Sequence, residues 1–186
     1  METKNVKTET KTKWGVDTAH SEVGFKIKHL MVANVRGTFR EYDGSIYTTG
    51  DDFTTAEIDF WINAASINTG EEKRDGHLRS PEFFDVEKFK EISFTGNTMQ
   101  KKDETGRFSL FGELTMKDVK KRIELDVDFG GFVKDPWGNQ KAVFTVTGKI
   151  NRKDWGLNWN AAMETGGVLV GEDVWITCEI QLTKQA

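Results

Sequence analysis

The segment from Arg122 to Phe129, Arg-Ile-Glu-Leu-Asp-Val-Asp-Phe, alternates charged and apolar side chains at every position. Because successive side chains of a strand point to opposite faces, this period of two predicts a β-strand with one charged and one apolar face. The charged face has nothing to pack against except water. The apolar face must therefore be buried inside the sheet to which the strand belongs.

The same alternation recurs along most of the chain and predicts about eight long strands. The first of them begins at Glu22 and continues through Phe39. Its apolar residues then change phase, which predicts a β-bulge near Arg40 and Glu41. A bulged strand bends, as the strands of a barrel do.

Two packed sheets or one closed barrel would both bury the apolar faces. The short turns between consecutive strands favour an all-β fold, a lipocalin-like antiparallel up-and-down β-barrel, because closure removes every exposed strand edge. Strands of about ten residues at ~3.3 Å per residue would make a tube more than ~30 Å long. A barrel of this size can hold one small ligand.

Five glycines fall on the predicted inward face, where a core built only for packing would carry larger side chains. Their absence of side chains either leaves room for a ligand or allows the strands to bend at the corners of the barrel. Both roles stay open for Gly37, Gly44, Gly96, Gly112 and Gly148.

The period of two stops at Ser66, and residues 69–86 are predicted to form a short helical insert. Thr69 followed by Glu72 fits a capping box at the start of a helix. The pair Ser80-Pro81 then fits the start of a second short turn. The insert is charged but carries three apolar side chains that must be pinned onto the barrel, namely Leu78, Phe83 and Phe84.

The composition describes one domain with an unusually aromatic interior. The chain has 186 residues, of which 37% are hydrophobic, yet it contains 13 Phe and 6 Trp. This length predicts a single barrel domain, over residues 14–186, and the polar residues 1–13 are predicted to form a flexible N-terminal tail. Since Phe has no polar group, most of this aromatic surface must be buried against apolar atoms or an apolar ligand.

Charge and hydropathy exclude several classes of partner. The net charge of -4 argues against nucleic acid or an anionic membrane surface as the main partner. No apolar run approaches the roughly 20 residues needed to cross a bilayer, so the protein is expected not to span a membrane. Without an apolar leader segment the expected compartment is the cytoplasm, or the periplasm if a signal peptide has been removed.

Three stretches of the chain carry a recognisable set of motifs, namely Trp14-Gly-Val-Asp-Thr-Ala-His-Ser-Glu-Val-Gly-Phe25, the insert from Ile67 to Val86, and Ile150-Asn-Arg-Lys-Asp-Trp-Gly156. Together they resemble the YceI-like family of polyisoprenoid-binding proteins. The resemblance extends from Trp14 to Leu182 and implies a lipocalin-like barrel that binds long apolar molecules, such as polyisoprenoids, isoprenoid quinones or fatty amides. The chain departs from the family at Lys90, where a Pro is usual, and at residues 118–120, where Gly-Val-Thr is usual. Both departures concern turns.

Strand phase then predicts the residues that contact such a ligand. Those on the inward face of the strands are Phe25, Ile27, His29, Phe39, Ile58, Phe60, Phe94, Leu110, Phe144 and Ile176. The insert would close the tunnel with Leu78, Phe83 and Phe84. Trp155, at a position that is usually aromatic in the family, is expected in the wall or at the rim. No cofactor is expected apart from a bound long-chain lipid.

His29 is the one polar side chain in this set, and its ring must find either a backbone partner or the head group of a ligand. His77 lies near Arg74 and Arg79, and these three groups could receive the polar end of a ligand or simply face water. The single cysteine, Cys178, is predicted to be a small buried apolar residue.

A lipid carrier is the predicted function, and the alternative is an enzyme that uses His20, His29 or His77 on a lipid-like substrate. Asp17, His20 and Ser21 contain the side chains of a hydrolase triad, but their spacing does not place a base between nucleophile and orienter. No catalytic or metal-binding set is therefore predicted. Trp61 on the outer face is compatible with a homodimer patch.

Overall fold

Residues 10–186 are described by a computed structural model, in which they form eleven β-strands, one α-helix and two short 3₁₀ helices. The strands are β1 (Lys11–Val16), β2 (Glu22–His29), β3 (Ala33–Phe39), β4 (Tyr42–Thr49), β5 (Asp52–Asn63), β6 (Ile67–Asn68), β7 (Glu91–Lys101), β8 (Arg107–Met116), β9 (Val119–Lys134), β10 (Gln140–Asn151) and β11 (Val170–Lys184). The α-helix is α1 (Glu72–Arg79), and the 3₁₀ helices are Ala64–Ser66 and Arg152–Trp155.

The strands close into an eight-stave antiparallel barrel. The ring runs β1-β4-β5-β7-β8-β9-β10-β11, and β11 pairs back with β1. Strands β2, β3 and β6 extend three strand positions of the ring. Strand β2 continues the position of β1, since both pair with β11. Strand β3 continues the position of β4 by pairing with β2, as β4 pairs with β1, and β6 continues the position of β5 by pairing with β3, as β5 pairs with β4. The predicted all-β, up-and-down barrel of about eight strands is confirmed.

The chain between Glu22 and Thr49 contains a reversal that the sequence pattern did not predict. Strand β3 folds back on β2, so that Phe25 pairs with Gly37, and the reversal occurs at residues 30–32. The prediction of one continuous strand was wrong because this turn uses Leu and Met, and neither residue is a turn signal.

The predicted bulge near Arg40 and Glu41 coincides with the joint between β3 and β4. There the backbone N–H of Arg40 donates to the carbonyl oxygen of Ser66 at 3.1 Å, and the N–H of Glu41 donates to the Ser66 hydroxyl at 3.0 Å. The chain can therefore change direction between β3 and β4, while β3 stays paired with β2 and β6 and β4 stays paired with β1 and β5.

The helical insert is shorter than predicted and is capped by a different residue. Glu71 is the N-cap of α1, and its carboxylate accepts hydrogen bonds from the N–H groups of Lys73 and Arg74. Thr69, the predicted cap, donates its N–H and hydroxyl to the buried carboxylate of Asp75 at 2.9 and 2.5 Å. The capping-box prediction was wrong because Glu71 lies closer to the first turn than Thr69 does.

The two ends of the barrel differ, and we call them the mouth end and the closed end. The mouth end carries α1, the turn at residues 30–32 and the irregular segment from Arg152 to Leu169. The closed end carries the hairpin turns at residues 50–51, 102–106 and 135–139. Strand β1 begins there at Lys11, inside the predicted tail, and residues 1–9 of that tail lie outside the described residues.

Candidate ligand-binding cavity

A cavity of about 570 Å³ occupies the interior of the barrel. This volume falls within the range of about 300–1,000 Å³ that is usual for small-molecule sites. The side chains around it are overwhelmingly aliphatic or aromatic and come from β1 to β11 as well as α1. The barrel therefore encloses space instead of a fully packed core.

Thirteen of the fourteen residues predicted to contact a ligand border this cavity. They are Phe25, Ile27, His29, Phe39, Ile58, Phe60, Leu78, Phe83, Phe84, Phe94, Leu110, Phe144 and Ile176. Trp155 does not border it. Its side chain is only 2% exposed, and its indole N–H donates to the carbonyl oxygen of Leu114 at 2.9 Å, so it belongs to the packing behind the wall.

The inward glycines do not leave empty space at their own positions. A Cβ on Gly37 would lie 2.3 Å from Cζ of Phe25, and one on Gly112 would lie 2.4 Å from Cζ of Phe94. The rings occupy the positions that side chains would take and lie flat against the opposite strand, as in aromatic rescue of a strand glycine. The cavity exists because these glycines let large rings stay at the wall.

The closed end of the cavity is formed by aromatic rings. Phe53 packs against Phe144 with ring centroids 4.8 Å apart and against Trp14 at 5.1 Å. Phe129 stacks on Phe144 at 5.0 Å and contacts Phe132 at the same distance. We call these five residues the aromatic plug. Phe53 and Phe144 border the cavity and form its floor.

A smaller aromatic cluster, centred on a residue of α1, lies across the cavity at the mouth end. The imidazole of His77 packs edge-on against Trp159 at 4.6 Å and against Phe83 at 5.0 Å. His77 also pairs with the carboxylate of Glu82. All three rings border the cavity, so a ligand that passes this end must contact or displace them.

Of the three polar groups predicted at the mouth, two border the cavity. Arg74 and His77 lie on the face of α1 that looks into the barrel. Arg79 does not. Its guanidinium donates to the carbonyl oxygens of Ala65 at 2.9 Å and Ile67 at 3.1 Å and so fastens α1 to the barrel wall.

Arg152 is a buried cation at the mouth end that strand phase did not identify. Its side chain is 2% exposed, and its guanidinium donates to the carbonyl oxygens of Gly171, Leu157 and Trp159 at 2.7, 2.5 and 2.9 Å. Burial lowers the pKa of this guanidinium below its usual value. Arg152 thus ties the segment after the second 3₁₀ helix to the start of β11 and borders the cavity.

The charges around the cavity have one sign. Lys73, Arg74 and Arg152 border it at the mouth end, and none of the carboxylates within residues 10–186 does so. His29 also borders it there, half-buried beside the first residues of β11. A polar end of a ligand would therefore find hydrogen-bond donors at the mouth end and only apolar side chains at the closed end.

The Asp17, His20 and Ser21 group does not form a catalytic triad. The Ser21 hydroxyl accepts from the N–H of Gln181 at 2.9 Å, while Asp17 binds His20 and Lys141. Burial works to raise the pKa of Asp17, but the hydrogen bonds from Lys141 and His20 outweigh it and hold that pKa below its usual value. His20 does not border the cavity, so this cluster joins β1, β2 and β10 from outside.

Two further features bear on chemistry at the site. Cys178 is buried and borders the cavity, and burial raises the pKa of its thiol to about 11, so the thiol is protonated at neutral pH. Across residues 10–186, no three His, Cys, Asp or Glu side chains converge as a metal site would require.

None of the helices within residues 10–186 is long and apolar enough to cross a membrane.

The family model for the YceI-like domain matches residues 14–182. The chain belongs to the YceI-like family. The resemblance of its sequence motifs to this family is confirmed. Among curated relatives of this YceI-like protein is a UPF0312 protein of Staphylococcus aureus strain MSSA476, which is 40% identical over 164 residues and covers 88% of this chain and 92% of the relative.

Solved structures give the same barrel. The YceI protein of Campylobacter jejuni is 33% identical, with a TM-score of 0.70 over 91% of this chain and 96% of that one. Burkholderia cenocepacia BcnA has a TM-score of 0.77 at 16% identity, covering 89% of this chain and 98% of that one. A polyisoprenoid-binding domain from Saccharophagus degradans has a TM-score of 0.68 at 14% identity, covering 92% and 98%. At such low identities the last two show that this YceI-like protein shares their fold.

Proposed function

We propose that this YceI-like protein is a carrier that holds one long apolar molecule, of the polyisoprenoid, isoprenoid-quinone or fatty-amide class, in the lumen of its barrel. The observation that supports the proposal most strongly is the cavity of about 570 Å³ with an apolar wall. Each methylene group moved from water into such a wall stabilises the complex by ~0.8 kcal/mol. A chain of many methylene or prenyl units is the ligand that this wall favours.

The two ends of the cavity give the ligand a direction. The aromatic plug offers no hydrogen-bond donor to a polar head, whereas Arg74, His77 and His29 border the mouth end. Leaving a polar head without a partner beside the plug would cost several kcal/mol. The apolar tail is therefore expected to point towards Phe53 and Phe144, with the head at the mouth.

The likeness to a domain described as polyisoprenoid-binding, from Saccharophagus degradans, supports the same ligand class. Solvent extraction of the purified protein followed by mass spectrometry tests the proposal. A long-chain lipid at close to one molecule per chain is the expected result. An extract without lipid, together with failure of the protein to take up added polyprenol, quinone or fatty amide, would show that the lumen is not a binding site.

Two adjacent residues of β5 provide a matched pair for this test. Phe60 borders the cavity, while Trp61 points away from it and is 41% exposed. Phe60→Asp is expected to abolish lipid retention, because a carboxylate would stand in the apolar wall without a partner. Trp61→Asp is expected to retain the lipid. If Phe60→Asp retained the lipid and had an unchanged far-UV circular dichroism spectrum, Phe60 would not be part of the ligand-binding wall.

The same preparations separate a carrier from an enzyme. A carrier binds its lipid stoichiometrically and leaves it unchanged, so no turnover of a lipid ester or quinone is expected. His29 and His77 border the cavity and His20 does not. Turnover that is lost in His29→Ala or His77→Ala would replace the carrier proposal with an enzymatic one.

A further inference from the structure

The turn between β2 and β3 exposes three consecutive large apolar side chains. Leu30 is 47% exposed, Met31 59% and Val32 81%. Val168, on the facing loop, is 40% exposed. We call these four residues the apolar tip. Exposed apolar residues scattered singly are normal, whereas a cluster at one protruding turn marks an interaction site.

The apolar tip is one surface formed by two loops. The N–H of Leu30 donates to the carbonyl oxygen of Leu169 at 2.9 Å. The sulfur of Met31 lies 3.1 Å from the position that a Cβ on Gly167 would take, so its side chain packs directly on that glycine. Val168 forms a β-bridge with Ala162, which closes its own loop over residues 162–168.

The backbone at this tip is unfavourable for the residues that occupy it. Leu30 has φ of 54° and Met31 has φ of 68°. The left-handed region is unfavourable for a side chain with a Cβ, and turns that need it usually contain Asn, Asp or Gly. Leu30 is 47% exposed and Met31 59%, so burial within residues 10–186 offsets that cost only in part. A local conflict of this kind is typical of a functional surface.

The hairpin that carries the tip is basic. Strands β2 and β3 and their turn contain Lys26, Lys28 and Arg36 and one carboxylate, Glu22, which lies at the end of β2 away from the tip, although the whole chain has a net charge of -4. Arg36 and Arg40 are exposed. The whole-chain charge, which argued against an anionic membrane surface, therefore conceals a segment of the opposite sign.

The tip also lies beside the mouth of the cavity. His29 and Val35, which flank the turn on β2 and β3, both border the cavity, and so do Leu169 and Val170 on the facing segment. Whatever surface binds the tip is brought next to the polar end of the lumen.

We propose that the apolar tip and the basic β2–β3 hairpin dock this protein on the surface of an anionic lipid bilayer, with the mouth end facing the membrane. Apolar side chains that insert to about 5–10 Å, together with flanking cations, are the physical requirements of interfacial binding. Each Lys or Arg near an anionic bilayer contributes about 1 kcal/mol, which is about a fivefold gain in binding. The proposal extends the carrier function but does not depend on it.

Co-sedimentation with vesicles tests this proposal. The full chain is expected to bind vesicles of equimolar phosphatidylglycerol and phosphatidylcholine, and to bind phosphatidylcholine vesicles much more weakly. Binding is expected to fall as NaCl rises, because salt screens the exposed cations. Val32→Glu is expected to weaken binding about tenfold or more, since it removes an inserted side chain and adds a negative charge.

Two further variants sharpen the result. Arg36→Glu changes the charge of the hairpin by two units and is expected to weaken binding about 30-fold at low salt. Val133→Glu is the matched control, because Val133 is 54% exposed but lies on β9 near the closed end. It is expected to bind vesicles like the unmodified protein.

Three outcomes would overturn the proposal. Val32→Glu could bind as tightly as the unmodified protein, Val133→Glu could lose as much affinity, or both vesicle types could bind equally. A dimer that Val32→Glu dissociates, with no vesicle binding by the unmodified protein, would assign the tip to a second copy of the chain. Lipid content measured on the same samples reports on the carrier function separately, and Val32→Glu is expected to keep its lumen ligand.

Discussion

The closed end and the mouth end of the barrel are built from different kinds of structure. At the closed end, regular strands and tight hairpins bring five aromatic rings together, and three of them are less than 9% exposed. At the mouth end, irregular backbone is held in place by arginine side chains that donate to backbone carbonyls, Arg79 for α1 and Arg152 for the segment before β11. The closed end thus depends on apolar packing, and the mouth end depends on a few hydrogen bonds from arginine side chains to backbone carbonyls.

The largest effect on stability is expected at the aromatic plug. The ring of Phe53 contacts Trp14, Phe129 and Phe144 with centroids 5.1, 5.9 and 4.8 Å away. Phe53→Ala is expected to lower the free energy of unfolding by about 3–5 kcal/mol, measured by urea denaturation. Phe132→Ala is the control, because Phe132 is 43% exposed, and a loss of about 1 kcal/mol is expected. Equal losses for both variants would contradict the packing account of the closed end.

At the mouth end, Arg152→Met is expected to lower the free energy of unfolding by about 2–4 kcal/mol. The substitution leaves the buried or half-buried carbonyl oxygens of Gly171, Leu157 and Trp159 without this donor. Lys149→Met, on an exposed position of β10, should change stability by less than about 0.5 kcal/mol. If Arg152→Met resembled this control, buried hydrogen bonds would not be what holds the mouth.

A smaller, pH-dependent effect is expected for the cluster outside the barrel. The Asp17 carboxylate lies 2.9 Å from Nζ of Lys141, and both side chains are largely buried. Asp17→Asn is expected to cost about 1–2 kcal/mol at pH 7.

Because the pKa of Asp17 is lower in the folded protein than its ordinary value of 3.8, its ionised form stabilises the fold above that value. This contribution is lost as the pH falls through the folded-state pKa. The stability difference between Asp17→Asn and the unmodified protein should therefore shrink below about pH 4. A difference that stays constant down to pH 2 would exclude the ion pair as its cause.

The smallest effect on stability, below about 1 kcal/mol, is expected for Gly37→Ala. The added Cβ would lie 2.3 Å from Cζ of Phe25, the far end of a side chain that can swing into the cavity. A Phe25 ring displaced into the cavity should lower the affinity for a long-chain ligand about three- to tenfold, measured by lipid titration, because fewer methylene groups of the ligand can be buried. Phe25→Ala combined with Gly37→Ala should restore the affinity. Failure of this rescue would show that the ring at Gly37 does not set the width of the lumen.

Much of the cavity could be predicted because a strand's period of two is a local property of the sequence. The alternation around Phe25, Phe60 and Phe94 placed these side chains on the inward face, and all three border the cavity. The same pattern required the apolar faces to be buried, and the short turns between consecutive strands favoured a closed barrel over two packed sheets, because closure removes exposed strand edges.

What the sequence did not predict depends on contacts between distant segments. The turn at Leu30 and Met31 has no turn residues, and its conformation is set by pairing of β2 with β3 and by the hydrogen bond to Leu169. Arg152 follows the last residue of a strand, so no periodicity assigns it a direction. Trp155 is aromatic like the wall residues, but its bond to Leu114 places it behind the wall.

Occupation of the lumen by a lipid can be tested directly through Cys178, the single cysteine of the chain. Cys178 borders the cavity, and its pKa of about 11 leaves roughly 1% of the thiol ionised at pH 9. Alkylation of Cys178 at pH 9 is therefore expected to be measurable but slow in delipidated protein. Loading with a long-chain lipid should slow it at least about tenfold, and Phe60→Asp should show no such protection, because it cannot retain the lipid. Equal alkylation rates in loaded and delipidated protein would contradict occupation of the lumen.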